Sequence, residues 1–99
     1  MTHSHYSKTK TSFYRRLLVA HLIATGTHTV PAIGTVTGMP RRTIQDTINA
    51  LAELDIECEF IGATKDGHYQ ISHWGPIDRH WVGSHIAHIQ YVLGYSIDD

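Results

Sequence analysis

Arg41, Arg42, Thr43, Gln45, Asp46 and Asn49 crowd one nine-residue stretch, and their types suit recognition of phosphates and base edges. An arginine pairs with phosphate oxygens or with guanine. Glutamine and asparagine offer a matched donor and acceptor to adenine, and a carboxylate accepts from the cytosine amine. Asp46 serves that last role or braces an arginine. Ile44, Ile48, Leu51 and Leu54 recur at helical spacing among these residues, which predicts one helix over about 40–54 with the polar set on its outer side. Arg41 and Arg42 open that helix, where free N–H groups suit an anion. Two positive charges there oppose the helix dipole, so the pair costs some stability and points to a use.

Histidine is the other anomaly, nine in 99 residues. Asp78, His80, His85 and His88 are similar to the carboxylate-and-histidine sites of metal-sensing repressors, and His85 and His88 at i, i+3 suit zinc or nickel. The spacing between the two halves is shorter than in those repressors, and no cysteine completes a thiolate site. The expectation is therefore no bound metal and no cofactor, with these histidines in an interface. Lys65 and Arg15 and Arg16 are further candidates for phosphate contact. Trp74 and Trp81 read as packing residues. No nucleophile with a base at motif spacing, no phosphate-binding glycine loop and no paired carboxylates stand out, so no catalysis is expected.

Several elements must position these groups. Residues 1–11 lack hydrophobic periodicity and read as a flexible arm. A first helix is expected from Ser12 to Thr25, with Ser12 as its cap and Gly26 ending it. Thr29 caps a short second helix through Val36, and Pro31 fits its first turn. Gly34 is expected to let the second and third helices approach closely. Gly38-Met39-Pro40 then makes the tight turn, with Gly38 free to take positive φ. Glu57–Ile61 and His68–Ser72 alternate as strands of a hairpin. Asp66-Gly67 supplies its turn, with Gly67 again expected at positive φ. Gly75-Pro76 breaks the strand, and one helix from Ile77 to Leu93 follows, stopped by Gly94. Apolar residues on two sides of that helix predict a second subunit, packed on Trp81, Val82, Ile86, Ile89 and Leu93.

Helix, helix, helix and hairpin, with Thr-Gly-Met-Pro-Arg-Arg-Thr-Ile-Gln at 37–45 and a Lys-Asp-Gly tip, resembles the winged helix-turn-helix family of bacterial regulators. The chain as a whole also resembles a small bacterial family of stand-alone winged-helix proteins. The resemblance covers residues 12–73. It implies a mainly α fold with a two-stranded β-hairpin and an additional C-terminal helix. The third helix would enter the major groove, and hairpin 57–73 would be the wing. It implies Arg41, Arg42, Thr43, Gln45, Asp46 and Asn49 as base-side residues and Lys65 as the wing contact. The wing departs from the family in having a single lysine beside Asp66, with Glu57 and Glu59 on its first strand. The expected division is an arm at 1–11, the winged domain at 12–75, a dimerisation helix at 76–94 and a tail at 95–99.

Charge is split along the chain. Residues 1–45 hold six of the eight lysines and arginines and no acid, whereas all nine acids follow, against Lys65 and Arg79. A basic face for phosphate and an acidic remainder would orient docking. The expected function is sequence-specific binding of duplex DNA by a homodimeric transcription regulator. A protein-interaction module, docking a protein partner through the acidic second half, is the rival, and a metal- or pH-responsive regulator is the third reading. No apolar run approaches the length of a membrane span, and no secretory leader is evident, which predicts a cytoplasmic protein. The single Cys58 reads as a buried, inert thiol.

Overall fold

The computed structural model describes residues 6–95. Helix α1 runs from Lys8 to Ala24, α2 from Val30 to Thr37 and α3 from Arg41 to Ala50, which passes into a 3₁₀ turn at Leu51–Leu54. Strands β1 (Glu57–Ile61) and β2 (His68–His73) form an antiparallel hairpin, and α4 (Arg79–Ser84) and α5 (Ile86–Leu93) close the chain.

The first helix starts earlier than its periodicity suggests. Ser7, not Ser12, is the cap, its hydroxyl oxygen accepting from the Lys10 N–H at 3.1 Å. Residues 8–11 of the expected arm are therefore helical, and the rest of the arm, 1–5, lies outside the described residues together with the tail residues 96–99. Leu17, Leu18, Val19, Ala20, Leu22 and Ile23 are all buried, so the second half of α1 is enclosed on most sides, with His21 and Ala24 only half-buried. It packs against α3, α4, α5 and β2 and is the axis of the core.

The turn between α2 and α3 is built from two adjacent residues. The Thr37 hydroxyl donates to the Ile33 carbonyl (2.7 Å) and accepts from the Met39 N–H (3.1 Å). Gly38 takes φ 79°, the left-handed conformation that ends α2. Met39 then drops into the core. Thr29 caps α2 as expected, accepting from the Ala32 N–H at 3.2 Å. The close-approach role of Gly34 is corrected. A Cβ there would meet Ile44 Cδ1 at 3.6 Å and the Met39 carbonyl at 3.7 Å, which is ordinary contact.

In the hairpin Cys58 faces Ile71 and Phe60 faces Tyr69, with a bulge between Glu57 and Cys58. Gly67 does not take positive φ; Gly62 does, at 94°. What Gly67 supplies is space, because a Cβ there would run into the Phe60 ring and the Ala63 carbonyl. The hairpin is tied to the body by the Tyr69 N–H, which donates to the His28 carbonyl at 2.8 Å.

The single C-terminal helix expected over 77–93 is two helices. Asp78 caps α4 by accepting from the N–H groups of His80 and Trp81, and the chain breaks at His85. Across the break Val82 of α4 and Ile89 of α5 both face inward, while Trp81 stays at the surface. Val82 and Ile89 are 1% and 0% exposed within one chain, and Ile86 and Leu93 are half-buried against the same core. Two of the five expected interface residues thus belong to the protomer's own core. No described helix is long and apolar enough to cross a membrane.

Candidate nucleic-acid interface

Helix α3 buries Ile44, Thr47 and Ile48 and leaves Arg41, Arg42, Asp46 and Asn49 exposed. At about 100° per residue, Arg42, Asp46, Asn49 and Glu53 follow one another along the outward line of the helix and its 3₁₀ extension. The amino-terminal end of that line is basic and the other end acidic. Pro40 caps α3 without a side-chain hydrogen bond, and the first turn contains no acid. The first N–H groups of a helix have no partner within it, so this end offers backbone donors and two guanidinium groups together.

Thr43 and Gln45 are half-buried and flank the outward line on opposite sides. Thr43 faces α1 across a cleft of about 250 Å³, lined also by Arg15, Arg16 and Asp46. Arg15 Nε is buried there with no hydrogen-bond partner, while Arg16 approaches Glu53 at 3.9 Å. Gln45 turns the other way, its amide nitrogen donating to the Tyr69 hydroxyl at 3.3 Å. Lys65 is exposed at the hairpin tip, beside Asp66. The sequence reading missed Tyr69 as a brace of this face and Glu53 as part of it. Strand alternation does place Tyr69 on the inner side of the hairpin, but its partner lies 24 residues away and is not legible from spacing.

The acidic side is equally concrete. Asp55, Glu57 and Glu59 line an open groove of about 580 Å³ between the end of α3 and β1, together with Cys58 and Tyr69. Burial pushes the Cys58 thiol up to about 11, partly offset by a backbone hydrogen bond at Gln70, so it is protonated and unreactive at neutral pH.

The histidines of the C-terminal region separate. The His85 ring stacks on Trp81 at 4.1 Å, with its Nδ1 2.8 Å from the Trp81 carbonyl. His88 stands edge-on to Tyr14 at 5.9 Å, and Asp78 is engaged as a helix cap. Among the described residues no three histidine, cysteine, aspartate or glutamate side chains converge on one point. The suggested metal grouping of Asp78, His80, His85 and His88 is not assembled, because the break at His85 and the stacking on Trp81 direct the rings to different neighbours.

Three helices whose third presents an exposed basic end, followed by a hairpin braced to that helix, define a helix-turn-helix with a wing. The chain belongs to the winged helix-turn-helix family, whose family model matches residues 8–93. It is similar to the crystal structure of a DUF2131 family protein from Shewanella amazonensis SB2B, at 38% identity and a TM-score of 0.86. That similarity covers 94% of this chain and 93% of the other. No curated protein matches the chain significantly. The winged helix-turn-helix class points to DNA binding, and such a domain is typically a binding module rather than an enzyme.

Proposed function

We propose that the protein is a cytoplasmic transcription regulator that binds duplex DNA in a sequence-specific manner. The observation that carries this reading is the amino-terminal end of α3, which is exposed, uncapped by any side chain and headed by Arg41 and Arg42. Insertion of that end into the major groove puts Arg41 and Arg42 against phosphates and Asn49 against a base edge, and keeps the acidic end of the line away from phosphate. Arg15, Arg16 and Thr43 flank the groove on one side and Lys65 on the other. Gln45 serves the interface through the wing it holds.

The protein acts as a homodimer in this reading, with two α3 helices in successive major grooves about one helical turn apart. One basic helix end per subunit is a modest contact, and tethering two of them raises the apparent affinity. Trp81 and Tyr91, 38% and 64% exposed on the C-terminal helices, are the surface that a second subunit would cover.

Fluorescence anisotropy of a labelled mixed-sequence duplex tests the reading, with wild type and the Arg41→Ala/Arg42→Ala variant at low and moderate salt. Salt-sensitive binding that the variant loses is expected; binding that the variant retains would remove α3 as the contact. The acidic groove beside β1 favours a second reading, a module that docks a basic protein segment. In that case the folded wild type binds no duplex even at low salt, and charge reversal at Arg41 and Arg42 leaves partner binding intact.

A further inference from the structure

Helices α1 and α4 leave between them a cleft of about 420 Å³, away from α3 and the wing tip. His21, Trp74, Arg79 and His80 line it, and no carboxylate does. A smaller cleft of about 270 Å³ shares Trp74 and Arg79 with it and adds His28 and His68, again with no acid in its lining. Four of the nine histidines and Arg79 thus gather around one tryptophan.

Among the described residues Arg79 has no carboxylate within salt-bridge distance, the ion pair formed being Arg16 with Glu53. Asp78, next to it in sequence, is spent on capping α4. Burial, and then the charge of Arg79, hold the His21 pKa below its usual value, so its ring is a neutral donor or acceptor beside a permanent cation. His28 Nδ1 is buried without a partner. Gly83 keeps the cleft open, since a Cβ there would meet only His21 Cε1, at 3.9 Å.

We propose that the α1–α4 cleft is a ligand site for a small aromatic carboxylate. Arg79 receives the carboxylate in a two-point pairing, His21 and His80 donate beside it, and the ring lies against Trp74. One guanidinium balances a monoanion; a phosphate would bring a second charge with only imidazoles to meet it. The cleft has room for one or two fused rings. No residue of α3 lines it, so ligand and DNA would bind at separate places, and the proposal stands apart from the DNA reading.

The test is Trp74 fluorescence in a Trp81→Phe background, titrated with benzoate, 1-naphthoate, neutral benzamide and inorganic phosphate. Saturable quenching by the carboxylates at or below millimolar concentration is expected, without saturation by benzamide or phosphate. Arg79→Ala should weaken carboxylate binding about tenfold or more, the scale of a lost charge-assisted pair. Gly83→Leu fills the cleft and should abolish binding while circular dichroism and unfolding show an intact fold. Absence of saturation by either carboxylate up to about 10 mM, or equal binding by Arg79→Ala, would overturn the proposal. Phosphate binding as tightly as benzoate would overturn the assignment of the ligand as a carboxylate.

Discussion

The Gln45 amide donates to the Tyr69 hydroxyl at 3.3 Å, and this bond joins the third helix to the second strand of the hairpin. Its sequence position makes Gln45 a natural reader of adenine, yet its side chain is half-buried and already engaged. Removing either partner should cost about 0.5–1.5 kcal/mol. A double-mutant cycle of Gln45→Ala and Tyr69→Phe, read by urea unfolding, should show that the two losses are not additive. Tyr69→Phe should also weaken duplex binding several-fold. Additive effects would mean the bond contributes nothing in solution.

Salt dependence separates a phosphate contact from a folding defect. Each phosphate contact contributes about 0.9 to the slope of log K against log salt, so losing Arg41 and Arg42 should lower the slope by about 1.8. Stability should stay level or rise slightly, because two cations leave the positive end of a helix dipole. A lower affinity with an unchanged slope would mean that these arginines do not meet phosphates.

Two glycines should respond in opposite ways to the same substitution. At Gly34 a methyl group finds ordinary contact distances, so Gly34→Ala should stabilise the protein by about 0.5–1 kcal/mol through helix propensity. At Gly67 the methyl would strike Phe60 and the Ala63 carbonyl, so Gly67→Ala should destabilise by about 1–3 kcal/mol. Adding Phe60→Ala to Gly67→Ala should recover part of that loss. Thermal unfolding checks all three variants.

The C-terminal helices give a test of assembly that depends on burial. Ile89 is completely buried, so Ile89→Ala should lose about 2–5 kcal/mol of folding stability at any protein concentration. Ile86→Glu places a charge where the chain is half-buried against its own core and should lower the melting temperature rather than yield a clean monomer. The informative pair is Trp81→Ala/Tyr91→Ala. Sedimentation should shift from dimer to monomer with the fold retained; unchanged sedimentation excludes that patch as the interface.

His21 sets a pH dependence with a definite sign. Its folded-state pKa lies below the ordinary imidazole value of 6.5, because burial and then Arg79 disfavour the charged ring. The unfolded chain therefore takes up the proton more readily, and stability rises with pH. The His21 contribution is present in full above pH 6.5 and is lost as pH falls through the lower folded value. Relative to wild type, His21→Gln should flatten the acid side of the stability profile and leave the profile above neutrality unchanged in shape.

Much of this protein is written locally. The breaks at Gly26, Gly38, Gly75 and Gly94, the Thr29 cap and the Arg41–Arg42 pair all act within a few residues, so the order of three helices and a hairpin and the basic end of α3 follow from sequence alone. Alternation likewise put Cys58, Phe60, Tyr69 and Ile71 on one side of the hairpin. Where two cap signals were equally local the chain uses the earlier one: the Ser7 hydroxyl accepts from the Lys10 N–H and its carbonyl from the Thr11 N–H, so the helix is already under way at Ser12.

The rest was decided by contacts between distant residues. Periodicity says that Val82, Ile86, Ile89 and Leu93 are apolar, but not whether a second subunit or the same chain covers them. The turn at His85 settles that by bringing Val82 and Ile89 onto α1. Spacing likewise cannot show that Gln45 meets Tyr69, or that His21 and Arg79 share a cleft across 58 positions of chain. Local propensity acts through neighbours in sequence; burial and side-chain pairing act through neighbours in space, and only the packed core makes the second set from the first.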